Sequence, residues 1–468
     1  MGKKVHAFIL DKRYTIDRKR IIGEKIMKNI LAQIKKDNVK FIELQFSDIF
    51  GALKSVTIAV DAAESVLSKG KWFDGSSIRG FARIMESDLY LKPDLSTYTI
   101  LQPVDQEVKT ARFLCDAYNP DGQPYEGDPR FILKKAINEA AQMGYTCMLG
   151  PEVEFFLLKA GAQGELLAVP HDVGGYFDSS TCDKASVLRK KIMLAMNEMK
   201  LNAEISHHEV AIGQHEIGFK YGPALEMADK IITLKHIIKS MAHLDGIYAT
   251  FMPKPFFGIN GSGMHVHFSL VDKNGEAVFF DESGPYKLSK TACYFMAGIM
   301  KHIKEIVVLL APTVNSYKRL VPGYEAPVYI CWGSANRSAL IRIPQTLENT
   351  PKSIRAELRC PDPSCNPYLA FAAIIKAGLE GIKNQEVIAG PIEENVYKYD
   401  EATREHHHIQ TLPGTLGEAL AAFKSSKLMQ EFLGQEFFNK YYEAKKKEWD
   451  EYRIQVTDWE LKRYLETV

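Results

Sequence analysis

The chain has 468 residues, of which 46% are hydrophobic and 25% are charged, as in an ordinary soluble globular protein. Lys and Arg number 59 against 58 Asp and Glu, a net charge of +1, so charge gives no argument for binding nucleic acid or anionic membranes. The length suffices for two or three domains with a large core.

Cysteine usage and the lengths of the apolar runs indicate the cellular compartment of the protein. Its seven cysteines are an odd number, scattered and without a CxxC motif, which predicts reduced thiols rather than a disulfide framework. The apolar patch near the N-terminus is too short for a signal peptide, and no apolar run is long enough to span a bilayer. We therefore expect a cytoplasmic enzyme.

The first part of the chain has the pattern of a small α+β domain. Isoleucines at four-residue spacing predict an amphipathic helix over residues 17–37, and alternating apolar residues predict strands over 39–46 and 53–60. The turn-rich segment NPDGQPYEGDPR follows a run of short strands and marks a boundary. We expect an N-terminal extension and helix over residues 1–36 and the small domain over 37–125.

The remainder, residues 126–468, has the pattern of a larger domain in which helices alternate with strands. Helical periodicity predicts helices over residues 131–143, 185–199, 225–243, 287–310, 368–383 and 416–446. The strands between them carry polar side chains at alternate positions, so we expect a sheet whose chemistry faces inward and whose helices pack outside. His406, His407 and His408 lie in a polar stretch and are interpreted as a solvated loop.

Paired ionisable residues recur on three strands of this second domain. Successive strand side chains point to opposite faces, so Glu152 and Glu154 in GPEVEFF share a face. The same spacing joins His265 to His267 and Glu357 to Arg359, while Glu209 and Glu216 flank an Ala-Ile-Gly turn. An isolated Glu-x-Glu pair is more often an ion-paired or rim feature, but its recurrence favours a shared site.

Five carboxylates and one imidazole form an oxygen-rich ligand set typical of Mg²⁺ or Mn²⁺ rather than zinc or copper. Six ligands exceed the need of one such ion once water and substrate oxygens are counted, so we expect two ions. On residue chemistry alone, a two-metal phosphohydrolase is the second possibility. The predicted metal ligands are Glu152, Glu154, Glu209, Glu216, His265 and Glu357.

Loops near these strands carry glycines and cations. Asp74 precedes a Gly-Ser-Ser turn, where a carboxylate commonly caps the backbone, and Gly323 precedes Glu325 in a Pro-Gly turn. The chain has no GxxxxGK[ST] loop, so a nucleotide would not be held in the P-loop manner. Six cations that favour an anionic, phosphate-bearing substrate lie within about forty residues: Arg319, Arg337, Arg342, Lys352, Arg355 and Arg359.

Together these motifs resemble the bacterial and archaeal type I glutamine synthetase family. The resemblance runs from about residue 38 to the end, through FDGSS, GPEVEFF, HHEVAIGQHEI, NGSGMHVH, KRLVPGYEAP, NRSALIRIP and PDPSCNPYLAF in the family's order. It implies an α+β fold with an N-terminal β-grasp domain, followed by a catalytic domain with an inward-facing antiparallel sheet and outer helices. It also implies a dodecamer of two hexameric rings, in which each active site takes its Asp74 loop from the neighbouring subunit.

The resemblance assigns the metal ligands to two ions, Glu154, Glu209 and Glu216 to one and Glu152, His265 and Glu357 to the other. It assigns ATP to Glu204, Tyr221, His267, Ser269, Arg342 and Lys352, with phosphate-facing Arg337 and Arg355. The resemblance assigns glutamate binding to Asn260, Gly261, Arg319, Glu325 and Arg359. It assigns ammonium binding to Asp74, Ser77 and Tyr176, with Glu209 nearby.

The implied reaction joins ammonia to L-glutamate with ATP through γ-glutamyl phosphate, giving glutamine, ADP and phosphate. Anion repulsion must be cancelled by two metals and arginines such as Arg337, and Asp74 must attract ammonium and take its proton. Glu325, after its Pro-Gly turn, would close a flap that excludes water. The alternatives are a ligase for a larger amine and a catalytically silent regulatory relative.

Three features of the sequence concern regulation. The loop over residues 158–173 is short, which resembles the subclass lacking an inserted segment and controlled by glutamine feedback. Arg83 matches that subclass's feedback arginine. Tyr397 lies where other members are adenylylated, but its surroundings differ from the modified pattern, so we expect no modification there.

Overall fold

The computed structural model describes residues 23–78, 80, 88–102, 108–161, 163–334, 336–345 and 350–468. The chain forms two compact units, one of residues up to Asp48 with Leu53–Asp128 and the other of Ile49–Ala52 with Pro129–Val468. The short excursion of Ile49–Ala52 into the second unit was not predicted. Among the described helices, none combines the length and apolarity that a membrane span requires.

In its described residues, the first unit is a mixed six-stranded sheet with two helices. The strand order is β2-β1-β6-β4-β3, with β5 beside β6, and among these described strands only the β1–β6 pair is parallel. Ile42, Leu44 and Phe113 are fully buried because alternate side chains of the central strands face one core. The elements are α1 (23–36), β1 (Val39–Ser47), β2 (Leu53–Ala59), α2 (Ala63–Lys69), β3 (Lys71–Asp74), β4 (Asp88–Pro93), β5 (Thr99–Ile100) and β6 (Lys109–Tyr118).

The second unit is built on an eleven-stranded, largely antiparallel sheet. Its main path is β17-β14-β15-β16-β13-β7-β10-β9, and β8, β11 and β12 also pair with the long strand β7. The strands are β7 (Tyr145–Ala160), β8 (Leu166–Pro170), β9 (Ala203–His208), β10 (Gln214–Phe219), β11 (Gly222–Pro223), β12 (Ile247–Thr250), β13 (Met264–Asp272), β14 (Tyr329–Gly333), β15 (Ala339–Arg342), β16 (Ala356–Leu358) and β17 (Gln410–Thr411).

The helices of this unit include a tightly packed pair, α6 and α8. A side chain at Gly298 of α6 would lie 2.3 Å from the Ala377 carbonyl, so only glycine permits this approach. The Ser289 hydroxyl caps α6 and the Asn366 amide oxygen caps α8. The helices are α3 (Pro129–Gln142), α4 (Ser186–Glu198), α5 (Ala224–Leu244), α6 (Lys290–Leu310), α7 (Ser316–Arg319), α8 (Pro367–Asn384), α9 (Glu401–His406), α10 (Leu416–Ser425), α11 (Lys427–Leu433), α12 (Gln435–Tyr452) and α13 (Asp458–Tyr464).

The C-terminal periodicity over residues 416–446 is divided among three helices rather than one. Ser426 ends α10 in an extended conformation, and its hydroxyl caps α11. Gly434 has a φ of 80° and separates α11 from α12. Both breaks occur at residues that favour helix ends, so the sequence carried a signal that periodicity alone did not use.

Candidate functional site

The predicted ligand pairs meet on one face of the large sheet because the register of its central strands aligns them. Glu216 of β10 lies opposite Glu154 of β7, and His265 of β13 lies opposite Glu152. On the other side of β13, His267 lies opposite Glu357 of β16. Directly opposed side chains in antiparallel strands are neighbours, so this register assembles the polar face.

Glu152, His265 and Glu357 form one group of potential metal ligands. His265 Nδ1 lies 3.6 Å from both Glu152 Oε2 and Glu357 Oε1. Ligands that share an octahedral ion at 2.0–2.1 Å are separated by about 3 Å, so a small contraction would suit one ion. Burial and then the Arg359 charge lower the pKa of His265 to about 4, so the imidazole is neutral, which is the form that binds a metal ion.

Both carboxylates of this group are anionic. Burial would raise the pKa of Glu152, but hydrogen bonds from His265 and His267 outweigh burial and lower it. Burial likewise opposes ionisation of Glu357, yet Arg359 lowers the pKa of Glu357 overall. Arg342 Nη1 lies 3.0 Å from Glu357 Oε2, and Arg359 Nη1 contacts Oε1 of the same carboxylate. Arg342, predicted to bind ATP, therefore has a structural partner among the metal ligands.

Glu209 and Glu216 form a second group together with His207, which sequence analysis missed. His207 Nδ1 lies 3.6 Å from Glu209 Oε1, and its Nε2 lies 3.5 Å from Glu216 Oε1. A signal was available, because the period of two that pairs Glu152 with Glu154 also places His207 on the face of Glu209. His207 also lies opposite Glu216 in the β9–β10 register.

Glu154, the third predicted member of this set, is buried beside the group. Its Oε2 accepts hydrogen bonds from Gln214 Nε2 at 2.8 Å and from the Gly263 amide at 2.9 Å. Burial, and then the charges of Glu209 and Glu216, raise the pKa of Glu154 well above its ordinary value. The three carboxylates repel one another when ionised, and such a concentration of negative charge favours a bound cation.

The same repulsion affects Glu209 and Glu216. Burial raises the pKa of Glu209 to about 7, with the charge of Glu216 adding to the effect. Burial also raises the pKa of Glu216, and the charge of Glu152 contributes. In both groups the donors are carboxylate oxygens and imidazole nitrogens, a set that fits Mg²⁺ or Mn²⁺.

A cavity of about 410 Å³ opens beside Glu152, between β7, β9, β13 and the segment around residue 352. Its size falls within the range of ligand pockets. The Arg342 and Arg337 side chains predicted for the nucleotide lie elsewhere, at Glu357 and at Glu325 respectively. Six other residues predicted to bind ATP or its phosphates line the cavity: Glu204, Tyr221, His267, Ser269, Lys352 and Arg355.

The loop that contains Asn260, Gly261 and Gly263 packs closely on Arg319. A side chain at Gly263 would lie 2.5 Å from the Arg319 guanidinium, so a larger residue here would have to displace the arginine. Arg319 is buried, and its Nη atoms donate to the carbonyls of Arg359, Cys360 and Pro361 at 3.0–3.1 Å. Burial lowers the pKa of Arg319. Its charge nevertheless acts on Glu154 from a fixed position.

Arg359 has an unused donor next to this loop. Its Nη1 contacts Glu357 and its Nη2 donates to the Glu325 carbonyl at 3.3 Å. In the part of the chain that the structure describes, its buried Nε finds no hydrogen-bond partner. An orphaned guanidinium donor suits the carboxylate of a small anionic substrate.

The remaining predicted site residues belong to different units of the chain. Glu325 and Arg337 are exposed and their charges lie 3.9 Å apart. Tyr176 stacks on Phe177 at 4.2 Å and presents its ring edge-on to His207. Asp74 and Ser77 belong to the first unit, where the Ser77 hydroxyl donates to Asp74 Oδ2 at 3.0 Å. Arg83, the predicted feedback residue, lies outside the described residues.

Asp74 caps its own turn in this chain. Its Oδ1 accepts from the Ser76 amide at 2.8 Å and from the Ser76 hydroxyl at 2.6 Å. The Ser76 hydroxyl, followed by its amide, lowers the pKa of Asp74. A carboxylate of this kind stays ionised at neutral pH, which suits attraction of a cation.

A third group of potential ligands, Asp172, His208 and His215, is fully buried below the site. Arg189 Nη1 lies 2.9 Å from His215 Nδ1, so Nδ1 is the acceptor and Nε2 carries the hydrogen. His208 lies 2.7 Å from the Glu209 carbonyl and 2.9 Å from Asp172, and both acceptors require a donor. Its imidazole is therefore charged. This group is a hydrogen-bonded ion-pair network rather than a metal site.

Comparison with known proteins shows which family shares the sequence and fold of this chain. The model of "Glutamine synthetase, catalytic domain" matches residues 126–464, and that of "Glutamine synthetase, beta-Grasp domain" matches residues 38–120. Curated glutamine synthetases from Methanosarcina mazei and Thermotoga maritima are each 50% identical, over 93% and 92% of this chain and 97% and 98% of their own. A solved structure described as "GmaS/ADP complex-Conformation 1" superposes with a TM-score of 0.84 at 29% identity, over 93% of this chain and 99% of its own.

These matches confirm the predicted fold class, an N-terminal β-grasp domain followed by a catalytic domain of mixed helices and sheet. The predicted resemblance is confirmed as well.

Proposed function

The chain belongs to the glutamine synthetase family, and on that premise we propose that it ligates ammonia to L-glutamate with ATP, through γ-glutamyl phosphate. One observation carries the proposal beyond the family assignment. Two groups of carboxylate and imidazole ligands lie on one sheet face, and one of them borders the cavity lined by the predicted nucleotide residues. This arrangement supports joining two anions that otherwise repel each other.

Glu152, His265 and Glu357 would hold one divalent cation, and Glu209 and Glu216, with the neighbouring Glu154, the other, with His207 as an additional donor. The proposed ions are Mg²⁺ or Mn²⁺. When bound, they would neutralise the anionic groups that must approach each other. The protein contributes fixed geometry, because Arg342 and Arg359 hold the Glu357 carboxylate and Gln214 holds Glu154.

The nucleotide would occupy the 410 Å³ cavity. Lys352 and Arg355 enter it as cations and Tyr221 as an aromatic side chain. The description of the GmaS structure names ADP, which supports a nucleotide site in this fold. Arg337 is exposed beside Glu325, so it is free to turn toward the transferred phosphoryl group.

Glutamate would lie between the loop of Asn260 and Gly261 and the buried Arg359. The unused Nε of Arg359 would donate to a substrate carboxylate, and Arg319 supplies positive charge from beneath. The γ-carboxylate oxygen then attacks the γ-phosphorus of ATP, and ADP leaves with the bonding electrons. Excluding water from the resulting acyl phosphate is the task we assign to the flap around Glu325.

Ammonium would be attracted by Asp74 and by the acidic group near Tyr176. Its proton passes to a carboxylate, and the ammonia nitrogen attacks the γ-carbonyl carbon so that phosphate leaves. Supply of Asp74 and Ser77 by a neighbouring subunit in a dodecamer of two hexameric rings is part of the proposal. So are feedback inhibition through Arg83, the absence of adenylylation at Tyr397, and a cytoplasmic location.

The test is a biosynthetic assay with glutamate, ammonium, ATP and either Mg²⁺ or Mn²⁺, which should yield glutamine and ADP in equal amounts. Asp74→Ala should lose ammonia-dependent turnover while retaining glutamate-dependent phosphoryl transfer. Methylamine, ethanolamine and polyamines are each tested as substrates in place of ammonium. Faster turnover with any of them would instead support a ligase for a larger amine. Absence of metal-dependent ADP formation would refute the proposed enzymatic activity.

A further inference from the structure

The flap between Val321 and Pro327 has an unusual backbone. Gly323 has a φ of 95° and Glu325 a φ of 56°, so a non-glycine residue adopts the left-handed region. Such a residue costs on the order of 1 kcal/mol and persists only when its surroundings hold it. The flap therefore needs anchors outside its own sequence.

Two side chains hold the flap by its carbonyl groups. Arg359 Nη2 donates to the Glu325 carbonyl at 3.3 Å, and the Tyr397 hydroxyl donates to the carbonyl of the next residue, Ala326. The aromatic ring of Tyr324 in the flap also lies 3.8 Å from the Lys254 ammonium. Of the two hydrogen bonds to flap carbonyls, only that from Tyr397 comes from a residue that has no other assignment in the reaction.

Tyr397 is itself firmly placed. Its ring packs against the buried cluster of Tyr329, Cys331, Ala339 and Val396. The Asn395 side chain caps its turn, and the Val396 amide donates to the Ser338 hydroxyl at 3.1 Å. Burial raises the pKa of Tyr397 to about 12, so the phenol remains a neutral donor at physiological pH.

We propose that Tyr397 is a positioning residue whose hydroxyl holds the flap closed and so protects the acyl phosphate from water. The inference rests on the proposed function. When the flap opens, water attacks the γ-carbonyl carbon of γ-glutamyl phosphate and the carbon–oxygen bond to phosphate breaks. Phosphate leaves with that electron pair, glutamate is regenerated, and one ATP is consumed without glutamine.

The contact of the Tyr397 hydroxyl with the flap also bears on whether this hydroxyl can be modified. Its oxygen faces the Ala326 carbonyl of the flap in a half-buried position, so a group attached to this oxygen would displace the flap. This geometry gives a physical reason to expect that Tyr397 serves the flap in unmodified form. Tyr399, two residues later, offers a matched comparison because its hydroxyl donates to Glu394 Oε2 at 2.7 Å and does not contact the flap.

The experiment measures ADP and glutamine formed by the full-length wild type and by Tyr397→Phe and Tyr399→Phe, at saturating and limiting ammonium. Loss of one neutral hydrogen bond shifts an opening equilibrium by about two- to tenfold. The ADP-to-glutamine ratio should stay near one in the wild type and in Tyr399→Phe. In Tyr397→Phe it should rise above one, and most at limiting ammonium.

Limited chymotrypsin digestion supplies a measurement independent of activity. Cleavage after Tyr324 should be faster in Tyr397→Phe by about the same factor, with other sites unchanged. A ratio that stays near one, cleavage equal to that of the wild type, or general unfolding of the variant would each overturn the proposal. A wild type that makes no glutamine would instead refute the proposed function itself.

Discussion

Glutamine in place of Glu209 should stabilise the metal-free protein at pH 8 and weaken its metal binding. Burial and the neighbouring Glu216 raise the pKa of Glu209 from 4.5 to about 7 in the folded protein. The folded state therefore binds this proton more tightly than the unfolded state does. The resulting stabilisation is complete below pH 4.5 and is lost as the pH rises through 7.

The size of the effect follows from the same shift. Each pKa unit corresponds to 1.36 kcal/mol, so ionising Glu209 removes on the order of 3 kcal/mol of stability by pH 8. The Glu209→Gln variant keeps the shape of the side chain and cannot ionise. Its free energy of unfolding in EDTA should exceed that of the wild type at pH 8 and be similar at pH 5.

Urea denaturation in EDTA at both pH values measures this difference, and Mn²⁺ titration with the same readout measures the loss of metal stabilisation. Glu198→Gln, at an exposed position at the end of α4, is the matched control and should leave both quantities unchanged. The reasoning is refuted if Glu209→Gln in EDTA at pH 8 is less stable than the wild type, or if Mn²⁺ stabilises both proteins equally.

Three further predictions concern other parts of the molecule. Mn²⁺ binding should release more protons at pH 6 than at pH 8, because Glu209 must ionise; calorimetry in two buffers of different ionisation enthalpy measures this, and equal release would contradict it. Lys352→Ala should raise the KM for ATP about tenfold through loss of a cation in the cavity, with little change in the KM for glutamate. A larger change in the KM for glutamate would contradict the assignment of this cavity to ATP. Gly298→Ala should lower stability by about 1–3 kcal/mol, seen as a lower urea midpoint, because its side chain would meet the Ala377 carbonyl; an unchanged midpoint would show that α6 and α8 can separate.

Much of the site could be predicted because it rests on one rule, the two-residue period of strand side chains. That period places Glu152 with Glu154, His265 with His267 and Glu357 with Arg359, and the strand register then groups Glu152, His265 and Glu357. The same rule pointed to His207, but a histidine beside another histidine carries no distinctive spacing and was passed over. Register between strands far apart in sequence was supplied by the family resemblance rather than by the pattern.

Other features depend on contacts that local sequence does not encode. The sequence could not show that β15 pairs with β16 and brings the Arg342 side chain to Glu357, and the expected contact of Arg342 with ATP stays a prediction. The buried network around Asp172 and His208 joins residues more than thirty positions apart. Asp74, by contrast, caps its turn as its local sequence suggests, because the partners are its immediate neighbours.

The most direct test of the central claim is anomalous scattering from a crystal grown with Mn²⁺ and ADP. Two manganese peaks are predicted, one within about 2.1–2.3 Å of Glu152, His265 and Glu357 and the other equally close to Glu209 and Glu216, beside Glu154. A single peak with unrelated ligands, or manganese bound at Asp172 and His215 instead, would contradict the account.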